Sequence, residues 1–331
     1  ELNPEYADAY INWGISLAGL GKHEEAIEKY KKATELNPEY ADAYINWGIS
    51  LASLGRHEEA IEKYQKVSKI NPEYVEAYIN WGISLAGLGR HEEAIEKYKK
   101  ATELNPEYVE AYINWGLSLA SLGRHEEAIE KYKKATELNP EYADAYINWG
   151  ISLYSLGRHE EAIEKYQKAI ELNPEYVEAY SNWGLSLYSL GKHEEAIEKY
   201  QKASKLAPDN PSIWGQIGWY YYANMKNYPK SIEVSQKALE IDEKAAWIRC
   251  NLAIALLHNN QYEEAKKEYK NTIQLIRAVE YSDMEYGKNR KRLLQEYGLE
   301  DLYDAKKVAS GKLLDHINEI IEFLEYEKEN L

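Results

Sequence analysis

Six histidines recur at a fixed interval of 34 residues, and such regularity first suggests a metal array. They are His23, His57, His91, His125, His159 and His193. Zinc needs ligands at about 2 Å, whereas neighbouring packed helices stand about 8–10 Å apart. No CxxC or HExxH motif accompanies the histidines. We therefore expect the imidazole rings to pack at the edges of the repeated units, and we predict no metal site.

Paired carboxylates beside each histidine could in principle serve acid–base chemistry. Glu24 and Glu25 follow His23, and the same HEEA sequence recurs in each of the six copies at the start of the predicted second helix. Acidic residues in the first turn of a helix complement its dipole, which explains the pattern without catalysis. The sequence has no glycine-rich phosphate loop, Ser–His–Asp set or Cys–His pair. We predict a non-enzymatic protein that needs no cofactor.

Amide side chains form a second ladder with the same spacing. Its members are Asn12, Asn46, Asn80, Asn114, Asn148 and Asn182, followed by Gln216 and Asn251. An amide has a carbonyl acceptor and an NH₂ donor, so it can pair with both the C=O and the N–H of an extended peptide. Such recognition would tolerate many peptide sequences. The alternative is that these amides only fix neighbouring helices.

The ladders belong to a repeat that accounts for most of the 331 residues. Six copies without insertions occupy 7–40, 41–74, 75–108, 109–142, 143–176 and 177–210. Residues 1–6 read as the remnant of a preceding copy, and 211–279 as two diverged copies. A fixed period of this length predicts a solenoid, in which neighbouring units share a continuous core.

Each unit reads as a helical hairpin. In the first copy, the apolar residues of the first helix are Tyr10, Trp13, Leu17 and Leu20, and those of the second are Ala26, Ile27, Tyr30 and Ala33. Both sets have helical spacing. Gly21 is expected to end the first helix, and Asn37-Pro38 to end the second.

This unit resembles the tetratricopeptide repeat (TPR). The matching residues in the first copy are Gly14, Leu17, Ala26, Tyr30, Ala33 and Pro38. The resemblance covers about 7–279 and implies an all-α fold, a right-handed superhelical solenoid of stacked helix-turn-helix hairpins. Trp13 and its equivalents depart from the family pattern, where leucine is more common. Ser231, Ser235 and Glu243 also depart from it, and the missing proline leaves the angle between the last two hairpins open.

The resemblance also implies that first helices line a concave groove, which places the amide ladder on a peptide-binding surface. Further candidate groove residues are Ile79, Ile113, Ile147, Tyr154, Tyr188, Trp219 and Tyr222. The aromatic ones occur only in later copies, so we predict that the C-terminal half of the groove is the preferred binding end. Acidic residues such as Asp8 and Glu76 replace the basic groove residues of family members that bind acidic chaperone tails.

Composition narrows the choice of partner. The net charge of −16 disfavours nucleic acid, which requires excess Lys and Arg, and disfavours anionic membranes. We therefore expect a protein or peptide partner that is neutral to basic and partly apolar. A single cysteine, Cys250, excludes an intramolecular disulfide. The chain begins within a repeat and without Met, so we expect a fragment, with a cytoplasmic location.

The periodicity is lost from about Glu280, where 280–331 is predicted to form capping helices. A helix through 281–298 is expected to stop near Gly298, and one or two further helices are expected after it. One apolar stripe comprises Leu313, Leu314, Ile317, Ile320, Ile321 and Leu324. A terminal repeat needs a cap over its apolar face, although a stripe this regular could instead pair with a second copy. The first hairpin has no such cap, so self-association there is the other possibility.

The sequence thus favours an interaction scaffold that binds a peptide or protein segment in its concave groove. A second reading is a regulatory or substrate-recruiting arm of a larger enzyme or signalling protein. A third is a self-assembling repeat protein of engineered or recently duplicated origin.

Overall fold

The computed structural model describes residues 5–278 and 290–330, and within these ranges the chain contains helices and no β-strand. Two compact units divide the chain. Unit 1 is Glu1–Pro174 and unit 2 is Glu175–Leu331.

Unit 1 consists of five helical hairpins. Its helices are α1 (Glu5–Gly19), α2 (His23–Leu36), α3 (Ala41–Ser53), α4 (His57–Ile70), α5 (Val75–Gly87), α6 (His91–Leu104), α7 (Val109–Ser121), α8 (His125–Leu138), α9 (Ala143–Ser155) and α10 (His159–Leu172). Successive first helices pack against each other more closely than successive second helices do. The first helices therefore lie on the inner side of unit 1.

The helix ends follow the predicted signals. Gly55 and Gly89 have φ of +74° and +73°, a conformation that glycine adopts without steric cost. Asn37 ends α2, and its side-chain oxygen accepts a hydrogen bond from the backbone N–H of Glu39 at 3.1 Å. This local turn, with Pro38 inside it, directs the chain into the next hairpin.

Close packing of glycine on tyrosine joins the two helices of each hairpin in unit 1. Gly116 of α7 faces Tyr132 of α8, whose side chain is 1% exposed. A Cβ atom on Gly116 would lie 2.5 Å from Cε1 of Tyr132, and the same contact recurs at Gly48 and Gly82. Glycine at this position therefore lets the helices approach.

We expect Gly116→Ala to lower the free energy of unfolding by about 1–3 kcal/mol, because the methyl group would overlap the buried Tyr132 ring. This cost exceeds the roughly 1 kcal/mol that alanine gains in helix propensity. Urea unfolding followed by circular dichroism measures the change. Gly19→Ala is the control, since no heavy atom lies within 4 Å of its Cβ position. Equal stability of the two variants would contradict the packing argument.

Unit 2 contains the remaining hairpins and the C-terminal segment. Its helices are α11 (Val177–Ser189), α12 (His193–Leu206), α13 (Pro211–Ala223), α14 (Tyr228–Ile241), α15 (Ala246–His258), α16 (Tyr262–Ala278), α17 (Arg290–Leu294), α18 (Glu300–Val308) and α19 (Gly311–Glu329). A π-helical turn, Gln295–Leu299, connects α17 to α18.

The C-terminal helices cover the last hairpin, which confirms the predicted cap. Leu294, Leu302, Ile317 and Leu324 are fully buried in one cluster with residues of α15 and α16. Most of the apolar stripe of α19 is thus occupied within the chain and is not left open for a second copy.

One predicted helix end is wrong. We expected a helix to stop near Gly298, but the chain remains helical through the π-helical turn into α18 and breaks only at Ala309. Gly298 is buried, and a Cβ there would lie 3.4 Å from side-chain atoms of Leu294 and Leu324. Gly298 therefore lies inside the packed cap and does not end a helix. The part of the predicted helix at 281–289 lies outside the described residues.

Candidate functional site

The amide ladder of unit 1 has a measurable structural role. The Nδ2 atoms of Asn46, Asn80 and Asn114 donate to the backbone carbonyl four residues earlier, at 2.8, 2.9 and 2.9 Å. This bond uses one N–H of each side chain, whereas an amide has two N–H donors and a carbonyl acceptor. The fixed orientation therefore leaves a donor and an acceptor for a ligand. Asn12 is exposed and Asn148 is half-buried.

The isoleucines chosen from the sequence do not lie on open surface. Ile79, Ile113 and Ile147 are 5%, 6% and 2% exposed and pack in the core between hairpins, so a groove-lining role does not agree with their burial. Aliphatic side chains four positions further along each first helix are open instead. These are Ile15, Ile49, Ile83 and Leu117, which are 40–45% exposed.

Amides and open aliphatic side chains meet on one surface. Ile83 of α5 and Asn114 and Leu117 of α7 line a common pocket of about 220 Å³. Asn and the aliphatic residue stand three positions apart in each first helix, which places them on the same side. We call this surface the inner face; in α3, α5 and α7 it comprises Asn46, Ile49, Asn80, Ile83, Asn114 and Leu117.

Acidic residues beside the inner face help to connect hairpins. The Tyr74 hydroxyl donates to Oδ1 of Asp42 at 2.6 Å, and Tyr40 donates likewise to Asp8. Burial and the Asp42 hydrogen bond raise the pKa of Tyr74. Sequence reasoning placed these acids in the groove and missed their tyrosine partners, since the paired residues are 32 positions apart.

The repeated tryptophans carry a cation on one ring face. Lys97 lies 4.0 Å from the ring centroid of Trp81, and Lys131 lies 4.0 Å from that of Trp115. The histidines pack at the hairpin edges as predicted: the His57 ring lies beside Gly87. Within the described parts of the chain, no group of three or more His, Cys, Asp or Glu residues is arranged to hold a metal ion.

The aromatic candidates have different surroundings. In unit 1, the half-buried Tyr154 lies 5.0 Å, between ring centroids, from His159. In unit 2, the half-buried Tyr188 lies 4.7 Å from Tyr220. Tyr222 is only 8% exposed and belongs to the core beneath the cap, so its predicted place on the groove surface is wrong. Its ring packs against those of Tyr228 and His258, in the same cluster as the apolar residues of the C-terminal helices.

A cavity of unit 2, about 310 Å³ in volume, brings three of the remaining predicted residues together. We call it the unit 2 pocket. It is lined by Gln216, Trp219, Tyr220, Trp247, Asn251, Glu296 and Asp301. Gln216, Trp219 and Asn251 were predicted from their repeat positions. Asn182 of the ladder is not in this lining; its Nδ2 is buried without a hydrogen-bond partner in the described residues.

Sequence reasoning missed the acidic side of the unit 2 pocket. Burial and repulsion from Asp304 and Glu300 raise the pKa of Asp301 to about 6. Glu296 accepts a hydrogen bond from Nε of Arg292 at 2.7 Å. Both acids lie outside the period, so no spacing could have located them. Trp247 offered a signal, because it stands where the six regular copies have Asp or Glu.

The sequence and the fold together define the family. Profiles described as TPR repeat match residues 16–55, 48–89, 84–123, 116–157, 150–191 and 184–224. Profiles described as tetratricopeptide repeat match residues 211–244 and 235–267. These matches span more than half of the chain, which therefore belongs to the tetratricopeptide repeat family. Such repeats form protein-interaction scaffolds that are typically not enzymatic.

Solved structures of other repeat proteins are similar to parts of this chain. The MamA crystal structure is 32% identical, covers 52% of this chain and 94% of its own, and has a TM-score of 0.48. YrrB, a TPR protein with an unusual peptide-binding site, is 27% identical, covers 54% of this chain and 93% of its own, and has a TM-score of 0.46. PilF of Pseudomonas aeruginosa shares the fold. It is 22% identical, covers 62% of this chain and 93% of its own, and has a TM-score of 0.54.

Two further findings concern sequence relatives and membrane-spanning helices. No curated protein matches the chain in sequence. Among residues 5–278 and 290–330, every helix is too short or too polar to cross a bilayer.

Proposed function

We propose that the inner face of unit 1 binds an extended segment of a partner protein and that the chain acts as a non-enzymatic scaffold. The observation that supports this most directly is the orientation of Asn46, Asn80 and Asn114. Each amide is held by a hydrogen bond to its own helix and retains a donor and an acceptor. The asparagine side chains are therefore already ordered, and they lose little further conformational entropy when a ligand pairs with them.

Repetition suits a peptide backbone in particular. A peptide backbone offers N–H and C=O groups at regular intervals whatever its sequence, and the ladder offers matching groups at each hairpin. The open aliphatic residues beside the amides, such as Ile83 and Leu117, give apolar side chains of the segment a surface to bury. Exposed acids, including Glu76 and Glu110, favour a segment without net negative charge.

We expect the triple variant Asn46→Ala, Asn80→Ala and Asn114→Ala to bind such segments at least tenfold more weakly. Each lost hydrogen bond is worth about 0.5–1.5 kcal/mol, and three positions lose theirs together. Folding should be retained, because the helix backbone keeps its own hydrogen bonds and alanine favours helix. Random peptides displayed on phage are selected on the full chain, and fluorescence anisotropy then compares their affinities for the parent and the variant.

The matched control replaces amides on second helices. Gln65 and Gln167 are exposed and lie on α4 and α10, away from the inner face. The double variant Gln65→Ala and Gln167→Ala should bind the selected peptides as the parent does. If the asparagine variant also bound them with unchanged affinity, the inner face would not be the binding surface.

A further inference from the structure

Two polar side chains in the unit 2 pocket are satisfied by no neighbour. Asn251 is 7% exposed, and its side chain has no hydrogen-bond partner among the described residues. Asp301 lines the same cavity and forms no ion pair with any residue of the described ranges. Both side chains line the cavity, and their polar atoms are open to it, so these atoms are available to a bound molecule. Their convergence on one cavity indicates a ligand that supplies N–H donors and positive charge.

The aromatic walls of this pocket point to the same ligand. Trp219 and Trp247 both line the cavity. Indole is the ring that cations prefer, and other tryptophans of unit 2 already carry one: Lys237 lies 3.6 Å from the ring centroid of Trp214, and Lys199 lies 4.1 Å from that of Trp183. In the part of the chain that the structure describes, no lysine or arginine lies over Trp219 or Trp247.

The acids around the pocket differ in what they can offer. Glu296 is occupied by Arg292, with its Oε1 2.7 Å from Nε. Asp301 is therefore the carboxylate free to pair with an incoming cation. Its neighbours on α18, Glu300 and Asp304, add negative potential, which attracts a cation and repels an anion.

We propose that the unit 2 pocket binds the guanidinium group of an arginine side chain in the partner segment. Asp301 accepts its charged hydrogen bonds, the Asn251 carbonyl oxygen accepts a further one, and Trp219 and Trp247 hold its planar face. Arginine suits this set better than lysine, because a planar guanidinium has five N–H donors and stacks on aromatic rings. The claim that the arginine comes from a partner peptide rests on the proposed function. The claim that the pocket binds a cation does not depend on it.

The test uses a probe that needs no other contact with the chain. N-acetyl-arginine N-methylamide is titrated into the full protein while the indole N–H signals are followed by NMR. Trp219→Phe and Trp247→Phe variants assign the two signals. We expect saturable shifts of both signals, and binding at least tenfold weaker for the uncharged citrulline analogue. The lysine analogue should bind more weakly than arginine. Equal binding of citrulline and arginine would overturn the proposal.

Asp301→Asn is the decisive variant, because it keeps the shape of the side chain and removes its charge. It should bind the arginine probe at least tenfold more weakly. Asp315→Asn is the matched control: Asp315 is exposed on α19 and is not among the residues that line the pocket, so probe affinity should stay within about twofold. Unchanged affinity in Asp301→Asn would overturn the proposal. Circular dichroism verifies that both variants are folded.

The peptide source is tested separately with the peptides selected on the full chain. If the pocket binds an arginine of the partner segment, the selected peptides should be enriched in arginine, and Asp301→Asn should bind them more weakly. Peptides that bind the inner face without any arginine preference would remove this proposal and leave the proposed function standing. If the arginine probe bound but no selected peptide depended on Asn46, Asn80 and Asn114, the proposed function would fail and the guanidinium site would stand.

Discussion

Replacing Leu324 by alanine is expected to destabilise the C-terminal part of unit 2 by about 2–5 kcal/mol. Leu324 is fully buried, and its Cδ1 packs beside Gly298 of the π-helical turn. Truncating its isobutyl side chain to a methyl group leaves a cavity where α19 meets the rest of the cap. Because glycine has no side chain to move into that space, relaxation would be limited, and the cost should lie in the upper half of this range.

The effect should be local, because each hairpin in a repeat array contacts only its neighbours. Hydrogen exchange measures it better than a single melting curve, since arrays often unfold in parts. Amides of α15, α16 and α19 should exchange faster in Leu324→Ala, and those of α3 to α8 should keep their rates. Tyr326→Ala is the control, since Tyr326 lies on the same helix and is 66% exposed. Uniform acceleration along the whole chain would contradict a local cap.

The repeated part of the fold was readable because its signals are local. Gly55 adopts the positive φ that the turn after a first helix requires. The Asn-Pro pairs interrupt helices, and the apolar residues of each copy follow helical spacing. None of these depends on which hairpin comes next. The repeat bounds proposed from the sequence, 7–210 and 211–279, remain predictions, and the two compact units of the structure divide at Pro174 instead.

The face of each first helix was harder to predict than the helix itself. Ile79 and Ile83 stand four positions apart, so either one fits the inner side of the same helix. The structure buries Ile79 and leaves Ile83 open. A rotation of the helix of a few tens of degrees decides between them, and that rotation is set by packing between hairpins, which no single copy of the sequence contains.

The C-terminal segment was the least predictable because its residues act through tertiary contacts. Gly298 reads as a helix end but lies in close packing with Leu294 and Leu324. Tyr222 reads as a surface aromatic, yet it joins the core beneath the cap. Only the apolar stripe of α19 carried a periodic signal, and the prediction of a cap rested on it.

Replacing Asp301 by asparagine is expected to stabilise the protein at neutral pH. Burial, Asp304 and Glu300 raise the pKa of Asp301 from its ordinary value of 3.8 to about 6. The folded state therefore binds more protons than the unfolded state between about pH 4 and pH 6, and ionised Asp301 costs stability above pH 6. Two pKa units correspond to about 3 kcal/mol, which partial solvent contact reduces to about 1–2 kcal/mol.

The sign of the pH dependence separates this charge effect from a packing effect. Asp301→Asn should exceed the parent in free energy of unfolding at pH 7–8. The difference should shrink as the pH falls from 6 towards 4 and vanish below about pH 3, where the parent carboxyl is protonated in both states. Urea unfolding across this range measures it. Asp315→Asn, an exposed position on α19, should stay within about 0.5 kcal/mol of the parent. A stabilisation that persisted unchanged at pH 4 would attribute the effect to packing.

A carboxylate that costs stability at neutral pH is typical of a functional site, and the arginine probe connects the two properties. Ligand that binds only the folded state stabilises it in proportion to occupancy. Saturating N-acetyl-arginine N-methylamide should therefore stabilise the parent and leave Asp301→Asn nearly unaffected, so that the gap between them narrows at pH 7. If the probe stabilised both proteins equally, Asp301 would be a source of strain without a ligand to relieve it.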